Sequence, residues 1–140
     1  MLTICKPAHS PSSRLPMAGN RVRAGFPSPA DDYIEERLDL NQHLIAHPSA
    51  TFFVRVSGES MIDAGIQDGD MLVVDRSLDA RHEDIVIATL DGEFTVKRLV
   101  YRGDKPWLVP SNPAYPDIRL TEEMETVIWG VVTSVIHSFR

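Results

Sequence analysis

The chain has 140 residues, 43% of them hydrophobic and 24% charged, which fits one domain with one core. Its net charge of -6 and pI of about 5.3 argue against tight sequence-independent nucleic-acid binding, which needs a basic footprint. Its single cysteine, Cys5, excludes an internal disulfide and fits a reducing compartment.

Residues 1–30 read as a flexible arm. Pro7, Pro11, Pro16, Pro27 and Pro29 are interleaved with Ser10, Ser12, Ser13, Gly19 and Gly25. Such a stretch holds few apolar groups to offset the entropy of ordering it. Its charged residues, Lys6, Arg14, Arg21 and Arg23, are all basic, while the rest of the chain is acidic. Ser28-Pro29-Ala30-Asp31 predicts a helix start, with Ser28 as cap and Pro29 at the first helical position, and Tyr33, Ile34 and Leu38 would share one face. A second short helix is expected from Asp39 through Leu44 and Ile45, ending near His47-Pro48.

From Thr51 the pattern becomes β. Strands are predicted at Thr51–Val56, Met71–Asp75, Ile85–Leu90, Glu93–Tyr101, Trp107–Val109 and Val127–His137. Turn signals separate them at Asp68-Gly69, Asp91-Gly92, Arg102-Gly103 and Asn112-Pro113. Many short strands with such turns imply a mainly β fold of short, curved sheets with one or two short helices. No apolar stretch approaches the ~20 residues of a membrane-spanning helix. Nor is there a secretory signal, so a cytoplasmic location is expected.

Asp91-Gly92 predicts a two-residue hairpin, pairing Leu90 with Glu93, Ala88 with Thr95 and Val86 with Lys97. Phe94, Val96 and Val100 then form one face, with Ile85 and Ile87, and that face reads as the core side. Lys97 falls on the other face, where an ordinary solvent-exposed lysine is the bland reading. Three features weigh against it. Val86, Ala88 and Leu99 surround Lys97 with apolar atoms. Thr95 can hold its amine by a hydrogen bond. Ser60 lies in a glycine-flanked turn directly after the strand Thr51–Val56. A serine hydroxyl needs a base beside it, and a lysine serves only when burial favours its neutral form.

Other constellations are weaker. Ser57-Gly58-Glu59-Ser60-Met61 lacks the second glycine of a Gly-x-Ser-x-Gly elbow. His43 and His47 have helical spacing without the glutamate of a His-Glu-x-x-His motif, so a surface or capping role is expected and no metal or other cofactor. Glu122, Glu123 and Glu125 read as a solvated face.

Three segments together resemble one family. Val56-Ser57-Gly58-Glu59-Ser60-Met61, followed by Gly65-Ile66-Gln67-Asp68-Gly69-Asp70, resembles the serine box of the LexA/UmuD group of self-cleaving serine–lysine peptidases. Asp91-Gly92-Glu93-Phe94-Thr95-Val96-Lys97-Arg98 resembles its lysine box. Ala24-Gly25-Phe26-Pro27-Ser28-Pro29 resembles its self-cleavage segment. The likeness is strongest to the UmuD-like SOS mutagenesis branch and runs from about Gly25 to the C-terminus, including Asp39-Leu40-Asn41-Gln42 and His47-Pro48-Ser49-Ala50-Thr51. The UmuD most often discussed has Cys-Gly at the cut, whereas Ala24-Gly25 is the dipeptide of the repressors in the group.

The resemblance implies a LexA/UmuD-type peptidase domain over residues 31–140 preceded by an arm, residues 1–30, that carries the cleavage site. It implies Ser60 as nucleophile, Lys97 as general base, Ala24-Gly25 as scissile bond, and the backbone N–H groups of Glu59 and Ser60 as oxyanion donors. It implies a homodimer that cuts itself when a RecA filament on single-stranded DNA engages it. The shortened form would then join the catalytic subunit of an error-prone translesion DNA polymerase, with no sequence-specific DNA binding of its own. A LexA-type repressor needs a helix-turn-helix domain before the cut, and the 24 residues preceding Gly25 are proline-rich. A signal peptidase needs a membrane anchor. A non-enzymatic β module that serves only as a binding subunit is the remaining alternative.

Overall fold

The computed structural model describes residues 3–7, 12–19, 21–26 and 34–140. The chain divides into two compact units, one of Met1–Pro7 with His47–Arg140 and one of Ala8–Ala46. The expected arm boundary at residue 30 therefore falls inside the second unit.

In the smaller unit, β2 (Arg14–Ala18) pairs antiparallel with β3 (Ile34–Asp39). This corrects the expected helix after Ser28. Its cap, residues 28–31, lies outside the described residues, and Ile34–Asp39 is a strand. The Glu-Glu-Arg-Leu run has fair helical propensity, but a long-range partner strand overrides so weak a preference. The second predicted helix is present as α1 (Leu40–Leu44). Asp39 caps it, its carboxylate accepting from the Asn41 and Gln42 N–H groups at one oxygen and from Ser12 and the Ser13 N–H at the other. These bonds hold its pKa low, the Ser12 hydroxyl contributing most.

The larger unit is one eight-stranded antiparallel sheet. Its strands are β1 (Thr3–Cys5), β4 (Thr51–Arg55), β5 (Met71–Asp75), β6 (Ile85–Leu90), β7 (Glu93–Arg102), β8 (Lys105–Val109), β9 (Ile118–Arg119) and β10 (Thr126–Ile136), in the order β1-β4-β5-β10-β6-β7-β8-β9. All six predicted strands are present. The proline-rich first 30 residues also contribute β1 and β2, which the arm reading did not anticipate, and β9 is too short to carry a pattern. Cys5 is free and exposed.

The hairpin register is as predicted, Leu90 opposite Glu93, Ala88 opposite Thr95 and Val86 opposite Lys97. Asp91 and Gly92 both have positive φ, as this tight turn requires. The expectation of a single core face on β7 is corrected. Val96 and Ile87 belong to one buried cluster, with Val54, Val56, Met61, Ile66, Leu72 and Val74. Val86, Ala88, Leu99 and Leu108 form a second cluster on the face that holds Lys97. Phe94, expected on the core side, is 42% exposed. The central strands are thus apolar on both faces, so strict alternation did not apply.

β10 joins the two halves of the sheet, pairing with β5 on one side and β6 on the other. Its register shifts between Ile128 and Gly130 and again between Val132 and Ser134, which bends the strand so that it serves both partners. Gly130 is required there, since a Cβ would lie 2.6 Å from Val74 Cγ1.

Candidate active site

Ser60 follows β4 in a turn whose shape is set by several backbone bonds. The Val56 N–H donates to Asp70 O at 2.9 Å, and the Gly69 N–H returns to Val56 O at 2.8 Å. Gly58 has φ of +96°, a conformation that L side chains rarely adopt. Its N–H donates to Asp68 Oδ1 at 2.7 Å. Met61, next to the serine, is 2% exposed in the core and anchors the turn.

A second segment clamps the turn from outside. The Ser111 N–H donates to Ser60 O at 2.8 Å, and Ser111 O accepts from the Asp63 N–H at 2.8 Å. Asn112 Nδ2 donates to Glu59 O at 2.9 Å, while its Oδ1 accepts from the Ala114 N–H at 3.0 Å. The N–H of a trans peptide points away from the carbonyl that shares its plane. Anchoring Glu59 O therefore turns the Ser60 N–H to the opposite side. Neither the Glu59 nor the Ser60 N–H finds a hydrogen-bond acceptor among the described residues. Sequence reasoning saw Asn112 only as a turn signal. Its carbonyl contact spans 53 positions, and no local pattern announces it.

Lys97 comes from the middle of β7. Its Nζ lies 3.1 Å from Ser60 Oγ, 2.7 Å from Thr95 Oγ1 and 3.0 Å from Val96 O. The residue is 9% exposed, and burial lowers its pKa below the ordinary lysine value. A neutral amine has two N–H groups and one lone pair. Thr95 and Val96 O can accept the two hydrogens, which leaves the lone pair for the Ser60 hydroxyl. The arrangement can therefore take a proton from Ser60 and return it to a leaving group.

Ser60 and Lys97 line a cleft of about 280 Å³, together with Val56, Gly58, Glu59 and Tyr115. A second hollow of about 310 Å³ adjoins it, sharing Phe94, Thr95, Lys97 and Tyr115 and extending to Leu90, Pro116 and Ile118. Ala24 and Gly25 are described in the smaller unit, and both are exposed. Gly25 does not have a left-handed backbone.

The remaining polar pairs lie elsewhere. His47 Nδ1 is 2.6 Å from Asp75 Oδ2, which ties it to the sheet, and its side chain makes no capping hydrogen bond to the turn that follows. His43 stands in the last turn of α1. His137 Nδ1 pairs with the buried Asp70. Glu122, Glu123 and Glu125 are exposed, as expected. No group of three or more histidine, cysteine or acidic side chains is placed to hold a metal among the described residues, and among them no helix is long and apolar enough to cross a membrane.

Fold and site together define a mainly β protein with a serine–lysine pair set in an open cleft. The profile of the Peptidase S24-like family matches residues 16–133, and the chain belongs to that family. It is similar to Protein ImpA of Salmonella typhimurium, 52% identical over 134 residues that cover 96% of this chain and 91% of that one. It is similar to Protein MucA of Escherichia coli, 52% identical over 120 residues, covering 85% and 82%. LexA repressor 1 of Pseudomonas syringae pv. tomato is 42% identical over 130 residues, covering 92% of this chain and 63% of the repressor.

Proposed function

We propose that this protein is a self-cleaving serine–lysine endopeptidase of SOS mutagenesis that cuts its own Ala24-Gly25 bond. The observation that carries the reading is the 3.1 Å contact between Ser60 Oγ and the buried Lys97 Nζ. The neutral Lys97 amine takes the Ser60 proton as Oγ attacks the Ala24 carbonyl carbon. The Glu59 and Ser60 N–H groups receive the developing oxyanion. The Lys97 ammonium then gives its proton to the departing Gly25 nitrogen, leaving residues 1–24 esterified to Ser60. Water, deprotonated by the same amine, hydrolyses the ester. Thr95 orients the amine throughout.

Membership of the S24-like family and the resemblance described above support the wider reading. A RecA filament on single-stranded DNA stabilises the cleavable pose. The shortened chain, as a homodimer, serves as a subunit of an error-prone translesion polymerase. Residues 1–30 present the bond, and residues 31–140 act on it.

Incubation of the purified chain at alkaline pH, followed by mass spectrometry, tests the chemistry. The expected result is one cut after Ala24, faster as pH rises and level above the apparent pKa of Lys97. Ser60→Ala and Lys97→Arg should stay intact, because a guanidinium keeps its charge. Cutting by the Lys97→Arg variant at the parental rate overturns the assignment. An intact parental chain, with or without the RecA filament, favours a binding module.

A further inference from the structure

β1 is part of the larger unit's sheet, not a free tail. Thr3 stands opposite Arg55, Ile4 opposite Val54 and Cys5 opposite Phe53, while the other side of β4 is taken by β5. Ile4 packs against the cluster of Val54, Val56 and Leu72. Two residues on, and so on the same face, Lys6 Nζ lies 5.6 Å from the centroid of the Phe52 ring. That ring in turn makes an edge contact with Trp129, centroids 5.1 Å apart. β1 thus covers the hydrogen-bonding edge of β4.

A cut at Ala24-Gly25 changes this edge. β1 would then belong to a separate peptide that also carries β2. Among the described residues, β1 is held to β4 by three residue pairs, the packing of Ile4 and one cation–π contact, while β2, exposed along its length, is held by five pairs to β3 and by the bonds of Ser12 and Ser13 to Asp39. Association of a free peptide costs more than these short, largely exposed strand pairs return at ordinary protein concentrations. An uncovered strand edge is a template for another strand.

We infer that cleavage opens the β4 edge as a docking site for an extended segment of a partner protein, one with an aliphatic residue at one position and a lysine or arginine two positions on. The segment runs antiparallel to β4, its aliphatic side chain in the place of Ile4 and its cation over Phe52. A second copy of β4 fits less well, because Val54 is followed two positions on by Val56 and not by a cation. The opening event rests on the proposed self-cleavage, whereas the edge and its chemistry do not.

Both parts can be tested with the full chain and a synthetic peptide of residues 1–7 as probe. In the Ser60→Ala background, Ile4→Pro uncovers β4 without any cut, since proline cannot donate to the ladder. Ile4→Asp is the second opening variant, and circular dichroism checks that each is folded. The peptide is titrated against 15N-labelled protein. It should shift the Phe53, Val54 and Arg55 amide signals in both opened variants and in self-cleaved protein, and leave the uncut chain unchanged. A peptide with Ile4→Asp should bind at least about tenfold more weakly, and one with Lys6→Glu several-fold more weakly.

Shifts in the uncut chain equal to those in the opened variants would overturn the inference. So would no response at β4 in any opened form, or self-pairing of opened chains through β4. A parental chain that does not cut itself refutes the proposed function instead, and the two proline and aspartate variants still decide whether the edge binds.

Discussion

Lys97 offers a test that reads the fold and the site together. Its amine is buried, and burial lowers its pKa, while in the unfolded chain it titrates near ~10.4. Between those two values the unfolded state binds the extra proton. Stability must then rise with pH across that window, by up to about 1.4 kcal/mol per pH unit. Each unit by which the folded pKa is lowered therefore adds about 1.4 kcal/mol between the two ends of the window. Lys97→Met keeps most of the stem's volume but has nothing to titrate. It should be favoured relative to the parent at neutral pH and lose that advantage as pH rises. The assay is urea unfolding of both chains in a Ser60→Ala background, from neutral to about pH 10, read as the difference between the two chains at each pH. A stability difference that stays flat over the whole range would mean that the Lys97 amine is solvated and charged, and the base assignment would fall with it.

Three other outcomes are expected. Asn112→Ala should lower the plateau rate of self-cleavage about tenfold, near the worth of one hydrogen bond, with the pH of half-maximal rate unmoved. A shift of that pH instead would mean that Asn112 acts on Lys97 and not on the Glu59–Ser60 peptide. Gly130→Ala should cost about 1–3 kcal/mol by overpacking, because its Cβ would meet the fully buried Val74, and an unchanged thermal midpoint would refute the close approach. Asp75 is affected most by burial, which would raise its pKa, but hydrogen bonds from Ser77 and His47 outweigh this and the pKa is lowered. The stability it adds is present above the ordinary carboxylate value and lost as pH falls from there through the lowered one. Asp75→Asn should flatten the acid side of the stability profile, and an acid slope equal to the parent's would contradict this.

What the residues disclosed by themselves was local. Asp91-Gly92 specified a turn type, and the turn specified the pairing of Val86 with Lys97. Alternation and turn residues placed β5 and β6 at their observed bounds, and Asp39 marked the start of α1. Ile34–Asp39 misled because its strand state depends on Arg14–Ala18, about twenty positions away, beyond the reach of any helical window. The second apolar cluster was hidden for the same reason, since Leu108 joins Val86 and Leu99 only after β8 has docked on β7. Val86 and Leu99 did hint at it. Residue types suggested the meeting of Ser60 with Lys97, and family resemblance carried the assignment, because the two lie 37 positions apart on elements that no short pattern connects.

The place of β10 in the sheet has a consequence for the timing of biosynthesis. Ser60 leads into β5, Lys97 lies on β7, and the strands of these two halves are bridged by Thr126–Ile136. A ribosome makes both residues before it makes that bridging strand. A growing chain therefore carries Ser60 and Lys97 without the frame that aims one at the other. A folded domain forms only when its segments have emerged, so the proposed self-cleavage waits until the whole chain has been made. Removal of the last strand should leave a chain that keeps every residue of the pair and cuts nothing.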